Sequence, residues 1–387
     1  MSGPSVDLRP HSDRETLLLL DCARGTIDPE TAGGIRARVS GGLNWTRLVA
    51  LAQRHGLAPL LYAQLNQVCG DGVPGDTLAF LRDYARRNTA FVVMLTGQLV
   101  GLLRMLEANG IQAIPYKGPA LALQLYDNVA RRQYGDLDIL VRRGDVWKAC
   151  RLIEAEGFEP VFPVPSAMRA RLLRDWYVRT FHRETSRTLL ELHWDIAERY
   201  WAIRFDADAM WRRLEPMELS GATAFVPCAE DLLVMLCVHG ARHGADKLEG
   251  IASIAELLRR NPDLDWERVW RESGAMHCRR ILEFGLLLAH GLFDVPLPPQ
   301  AADASRSQTL LAMARTAVLH FVADDPPPRT WRRQVSFQLG LKDSRADKAR
   351  YWARALTSTP DDWATLRLPE PLSFAYPLVR AVRLARK

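Results

Sequence analysis

The chain has 387 residues, 48% of them hydrophobic and 25% charged, which suits a soluble globular protein with a real core in each of two or three domains. Its formal charge of +6 (51 Lys and Arg against 45 Asp and Glu) fits an anionic ligand such as a nucleotide but does not by itself argue for a nucleic-acid binder. The six cysteines (Cys22, Cys69, Cys150, Cys228, Cys237 and Cys278) form no C-x-x-C pair, so they read as reduced, buried thiols rather than a disulfide framework.

The first fifteen residues, MSGPSVDLRPHSDRE, are polar and carry no apolar stretch, so no signal peptide is read there. Residues 13–109 read as helical: WTRLVALAQRHGLAPLLYAQL (45–65) and AFVVMLTGQLVGLLRMLEANG (90–110) place apolar residues at helical spacing, with Gly110 as a stop. The period then changes. IQAIPY (111–116) is short and apolar like a strand, KGP follows as a turn, and ALALQLY (120–126) reads as one or two helical turns. A polar loop leads to DLDILV (136–141), a strand, and DVWKACRLIEAEGF (145–158) is an amphipathic helix closed by Gly157.

EPVF is a further short strand; WYVRTFHRE and RTLLELHWDI read as a hairpin turning at TS. Beyond about residue 205 the chain is mainly helical, apart from a small hairpin at 217–227. The most lipophilic segment, ILEFGLLLAHGLF (281–293), is broken by Glu283 and His290 and is too short to span a bilayer; it reads as a core helix. The expected fold is α+β: an N-terminal helical region (1–110), a small mixed sheet with helices (111–205) and a mainly helical C-terminal domain (206–387). A cytoplasmic chain without stable membrane insertion is expected.

Asp136 and Asp138 sit one residue apart in an apolar run. Side chains alternate along a strand, so both acids point one way while Leu137, Ile139 and Val141 form the other face. Two like charges side by side repel and raise each other's pKa, a cost that a cation between them removes; hard cations prefer carboxylate oxygen. The bland reading is an edge strand with two solvated acids. Around them, Gly118 lies at a strand-to-helix junction where the following helix N-terminus favours an anion, and Lys117 adds a point charge. Arg131 and Arg132 precede the acids in a loop, where a guanidinium reaches a triphosphate bidentately or is simply solvated. Glu191 in TLLELHW is another acid among alternating apolar residues, and His193 shares its face. Three carboxylates converging on one point are a way to hold two metal ions for phosphoryl chemistry; the structural alternative for Glu191 is a pair with Arg183 or Arg187.

A glycine turn, then Asp-x-Asp on one strand, then an isolated acid on a later strand resembles the polymerase-β-like nucleotidyltransferase superfamily. GIQAIPYKGPALALQLYDNVARRQYGDLDILV is similar to the bacterial family labelled "uncharacterised nucleotidyltransferase". LAQRHGLAPLLYAQL, LLELHWDI, DLLVMLCVHGARHG and the terminal TPDDWATLRLPEPLSFAYPLVRAVRL extend the resemblance over nearly the whole chain. It implies Asp136 and Asp138 as a metal-binding pair, Glu191 as the third carboxylate and Gly118 as the phosphate-loop glycine; Lys117, Arg132 and His193 are read toward the nucleotide from their own positions. The implied reaction uses Mg²⁺ or Mn²⁺ to move a nucleoside monophosphate from an NTP such as ATP to an acceptor (a small molecule, sugar or peptide, as in natural-product tailoring), releasing pyrophosphate. Nucleic acid is not expected as a partner. Two departures stand out: Pro119 follows the glycine where the superfamily usually has serine, and the distance from 118 to 136 exceeds the commonest spacing. A non-catalytic nucleotide-binding or scaffold protein and a kinase-like phosphoryl transfer remain alternatives.

His239 and His243 in CVHGARHG fall on one helix face at i and i+4, where they could bind zinc, but no H-E-x-x-H pattern or third ligand accompanies them. Packing, or contacts to acceptor or phosphate from a helix lying over the site, are the other readings. RTWRRQ, KARYWARAL and YPLVRAVRLARK alternate arginine with aromatics, as in an amphipathic helix with a solvated basic face or a patch for an anionic partner or membrane surface.

Overall fold

The computed structural model describes residues 6–328 and 330–355, together with 362, 366, 372 and 375–385. Five helices come first: α1 (Arg14–Cys22), α2 (Pro29–Ser40), α3 (Trp45–Arg54), α4 (Ala58–Cys69) and α5 (Gly75–Ala108). The first three begin where a short polar side chain caps them. Asp13 accepts from the Thr16 amide, Asp28 from Thr31 and Asn44 from Arg47, each satisfying an orphan N–H of the first turn.

The mixed region follows as β1 (Ala113–Pro115), α6 (Gly118–Tyr126), β2 (Asp136–Val141), α7 (Val146–Ala155), β3 (Glu159–Pro160), α8 (Arg169–Asp175), β4 (Val178–Arg183) and β5 (Thr188–His193). Its five strands form one sheet in the order β1-β2-β5-β4-β3. β2 and β5 run parallel, which requires the long crossover through α7 and α8; the other pairings are antiparallel. After α9 (Ala207–Arg212) comes a two-stranded hairpin of β6 (Glu215–Leu219) and β7 (Ala222–Val226). The chain continues as α10 (Ala229–Arg242), α11 (Leu248–Arg260), α12 (Trp266–Ala275), α13 (Arg279–Phe293), α14 (Gln308–Val322), α15 (Trp331–Gly340) and α16 (Arg345–Ala355). A last described helix spans Tyr376–Ala385. The fold is α+β with helical flanks, as the periodicities indicate. Helices lie on all three basic, aromatic C-terminal stretches; most of TPDDWATLRLPEPLSF lies outside the described residues.

Two hydrophobic clusters hold this arrangement. One joins α1–α4 to α10, α11, α13 and α14 through residues such as Leu18, Leu60, Leu233, Ile254 and Leu287, so both flanking helical regions share one core. The other lies under the sheet, where the second half of α5 (Leu95, Leu99, Leu106) meets Leu137, Ile139, Phe181, Leu190 and Leu192. Each such fully buried side chain is worth roughly 1.5–3 kcal/mol relative to exposure.

The core-helix reading of 281–293 agrees with α13, whose Leu286, Leu287 and Leu288 are all buried. The segment long and apolar enough to cross a membrane is instead α5, whose 34 residues include an apolar window only 39% buried in the fold. The helix is longer than the periodic segment from residue 90, because it starts at Gly75.

Candidate active site

The acidic face is built by strand register. β2 pairs with β5 so that Asp138 stands opposite Glu191 and Leu140 opposite His193. Side chains two apart share a face, so Asp136, Asp138, Glu191 and His193 all project from the side opposite the Leu137–Ile139–Val141 core. Ligand atoms of Asp138, Glu191 and His193 lie within 4.8 Å of one another, and among the described residues this is the metal-compatible cluster. His193 Nε2 is 3.0 Å from Asp138 Oδ1 and 3.2 Å from Glu191 Oε2. Both carboxylates only accept, so Nε2 carries the proton and donates. On the other side of the ring, Tyr116 Oη is 3.5 Å from Nδ1.

Lys117 approaches from the β1–α6 turn, its Nζ 2.6 Å from Asp138 Oδ1, with both groups buried. Burial works to raise the Asp138 pKa, but the charges of Lys117 and His193 and their hydrogen bonds outweigh it and hold the carboxyl well below the usual range. Burial likewise opposes ionisation of Glu191, and its hydrogen bond to His193 brings the pKa down. Asp136 behaves in the opposite way: burial first, then repulsion from Asp138, pushes it up to about 6. It stands at the outer end of the face and outside the tight Asp138–Glu191–His193 group. The three carboxylates share this face, where His193 joins Asp138 and Glu191 at its tight centre.

Gly118 opens α6 with φ of +56°, a left-handed conformation that favours glycine. A Cβ there would meet only ordinary contacts, 3.5 Å from the Asp136 carbonyl oxygen, so the requirement lies in the backbone angle rather than in close approach. No side chain caps the first turn of α6. The N-terminal dipole of this helix therefore lies beside Lys117 and the acidic face.

Arg132 goes elsewhere. It is buried and pairs with Glu249 of α11, its Nε 2.7 Å from Oε1. A buried guanidinium requires a carboxylate partner, and α11 supplies one. Glu191 does not pair with Arg183, which donates to the Glu156 carbonyl oxygen and packs its guanidinium 4.1 Å from the centre of the Phe158 ring.

Three side chains escaped the sequence reading. Tyr116 adjoins Lys117 in IPYKG. Tyr177 has its ring centre 5.7 Å from that of His193, and Arg242 lies 4.0 Å from the Tyr177 ring centre while its Nε donates to Glu198 Oε2 at 2.8 Å. Arg242 lies between the two histidines of CVHGARHG, and that is the signal that could have found it. The helix carrying them does pack near the site: His239 is held well below its ordinary pKa by burial and by the charges of Lys117, His243, Arg242 and His193. The His239 and His243 rings are 4.5 Å apart, but among the described residues no third ligand joins them.

The donor set fits a divalent cation. Carboxylate oxygens suit Mg²⁺ and Mn²⁺, and an imidazole is accepted more readily by Mn²⁺. Asp136, Asp138 and Glu191 carry three negative charges against Lys117 when ionised, so a cation would find a surplus to neutralise. A metal on Nε2 would displace its proton, and the Tyr116 hydroxyl could serve either His193 tautomer because it both donates and accepts.

No curated protein is similar enough in sequence to match this chain. Residues 41–294, well over half of it, match the family described as uncharacterised nucleotidyltransferase, a span that holds α3 through α13 and every residue of the acidic face. The C-terminal helices and the terminal segment that also resembles the family lie beyond that match. With the glycine turn, the acidic strand pair and the flanking helices all inside the matched span, the chain belongs to the uncharacterised nucleotidyltransferase family and is a nucleotidyltransferase enzyme.

Proposed function

We propose that the protein transfers a nucleoside monophosphate from an NTP, ATP being the first to test, to a hydroxyl- or amine-bearing acceptor of the small-molecule, sugar or peptide class. The observation that supports this most is the gathering of Asp138, Glu191 and His193 within 4.8 Å, beside Lys117 and the uncapped start of α6. Asp138, Glu191 and His193 would hold a divalent cation, Mg²⁺ or Mn²⁺, with Asp136 alongside; when bound it would supply positive charge against the triphosphate and the leaving oxygen.

The chain's own groups account for the rest. The Gly118 turn and α6 N-terminus receive phosphate oxygens through backbone N–H groups, and Lys117 adds an ammonium. The acceptor's oxygen or nitrogen forms a bond to the α-phosphorus, the bond from that phosphorus to the bridging oxygen breaks, and pyrophosphate leaves. Glu191 receives the acceptor's proton. Tyr116 orients His193 from behind. Pro119 contributes no hydroxyl or N–H, so phosphate recognition at this turn relies on main-chain donors after the proline and on Lys117. Six free cysteines, five of them buried, support a reducing compartment such as the cytoplasm.

The test is incubation with each NTP and Mg²⁺ or Mn²⁺, assaying pyrophosphate alone and then with candidate acceptors. Metal-dependent pyrophosphate release supports the reading. Release of nucleoside diphosphate would replace it with phosphoryl transfer, and nucleotide binding without turnover would replace it with a binding role.

A further inference from the structure

A cavity of about 420 Å³ opens beside the start of the acidic strand, between α5, residues 133–135 and the beginning of α11. This lies within the range of about 300–1,000 Å³ typical of small-molecule sites. Tyr84, Arg87 and Phe91, three and four residues apart on α5, present one helix face to it. Tyr134 and Gly135, the two residues before Asp136, form another wall. A Cβ placed on Gly118 would lie 3.8 Å from the Tyr134 ring and 3.5 Å from the Asp136 carbonyl oxygen, so that wall also backs onto the glycine turn. The cavity wall is thus the chain segment that leads directly into Asp136.

The charge of the lining is specific. Arg87 and Lys247 are exposed, and neither has a carboxylate partner among the described residues. The one acid in the wall, Glu249, is already paired with buried Arg132. Arg87, Lys247 and Arg132 against Glu249 leave two positive charges unanswered. Lys247 also sits at the N-terminus of α11, whose dipole adds to the same sign. Tyr84 and Phe91 are half-buried, offering flat apolar surface beside these cations.

We propose that this cavity is the acceptor subsite, taking an anionic small molecule with an aromatic or otherwise planar body: its carboxylate or phosphate lies between Arg87 and Lys247, its flat body against Tyr84 and Phe91. The assignment rests on the nucleotidyl-transfer reading for its word "acceptor". A nucleobase carries no charge to answer the two cations, and the triphosphate already has its place at the Gly118 turn. Between the two lies the wall at Tyr134 and Gly135, which backs onto the Gly118 turn and continues into Asp136.

The experiment is calorimetric titration of the full-length protein with phenyl phosphate, benzoate and phenol, each with and without Mg²⁺ and a non-hydrolysable ATP analogue. Both anions are expected to bind about tenfold or more tightly than phenol, and to bind together with the nucleotide. The relative affinity of phenyl phosphate and benzoate names the head group. Arg87→Ala/Lys247→Ala, which alters only exposed side chains, is expected to weaken the anions by about tenfold or more and leave the nucleotide analogue unchanged. Anions that bind no better than phenol, or that bind the double variant as well as the parent, overturn the proposal. So does displacement of the probe by the nucleotide, since the cavity then belongs to the nucleobase. If the anions bind as expected but the nucleotide analogue does not bind at all, the anion site stands and its acceptor role falls with the transfer reading.

Discussion

The two faces of the β2–β5 pair come from the same twelve residues and do opposite things. Leu137, Ile139, Leu190 and Leu192 are fully buried against α5 and its neighbours. Asp136, Asp138, Glu191 and His193 alternate with them and face Lys117, Tyr116 and α10. The apolar face gains free energy from leaving water. The acidic face loses it, and recovers part through Lys117 and His193. The lesson is that the stable face holds the unstable one at fixed register: a one-residue slip would exchange every side chain between them.

The largest effect is expected from Asp138→Asn. Nucleotidyl transfer should fall by at least ~10²-fold per folded molecule, measured as pyrophosphate release. Activity within a few-fold of the parent would remove the acidic face from the chemistry. The change also strands buried Lys117, so stability should drop, by roughly 3–5 kcal/mol in denaturant unfolding. Lys117→Met combined with Asp138→Asn should recover much of that stability and none of the activity.

Leu190→Ala tests the other face. It should cost about 2–5 kcal/mol of stability through lost burial and a cavity, with transfer per folded molecule unchanged. A loss of turnover comparable to that of Asp138→Asn would show that the faces are not separable.

Asp136 makes the acidic face sensitive to pH. Its carboxyl titrates near 6 in the folded protein against an ordinary value of 3.8, so folding opposes its ionisation. The resulting destabilisation is absent below about pH 4, grows as pH rises through 6, and is complete above it. Asp136→Asn should therefore stabilise the metal-free protein near pH 7.5 by up to ~3 kcal/mol, and the gain should vanish below pH 4. Equal stability of the two proteins across this range, followed by thermal unfolding, would reject the assigned environment.

The smallest effect is expected at Leu189. It lies on the acidic face in register with Asp136, yet it is 45% exposed. Leu189→Ser should change stability by no more than about 0.5 kcal/mol. A larger loss would mean that this end of the face is covered.

Much of this was legible in the chain. Period-two alternation in DLDILV and TLLELH marked both strands and separated acids from core residues, and helical periodicity marked α3, α4 and the later part of α5, because local geometry alone dictates which side chains share a face. Gly118 was identified as the turn residue, although its φ rather than a close approach makes glycine fit. What the sequence could not state was which strand lies beside which. The parallel pairing of β2 with β5 depends on the crossover through α7 and α8, and it alone brings Asp138 to Glu191 and His193. Arg132 was read from its position in a loop, yet its fate was decided by Glu249 on a helix more than a hundred residues later. Tyr177 reached His193, and Arg242 reached Tyr177, in the same way. Residue type and spacing determined the acids, the glycine turn and the face they share. Tertiary packing decided their partners, because a buried charge is satisfied by whatever the fold brings within a few ångströms, and that distance is set by long-range contacts.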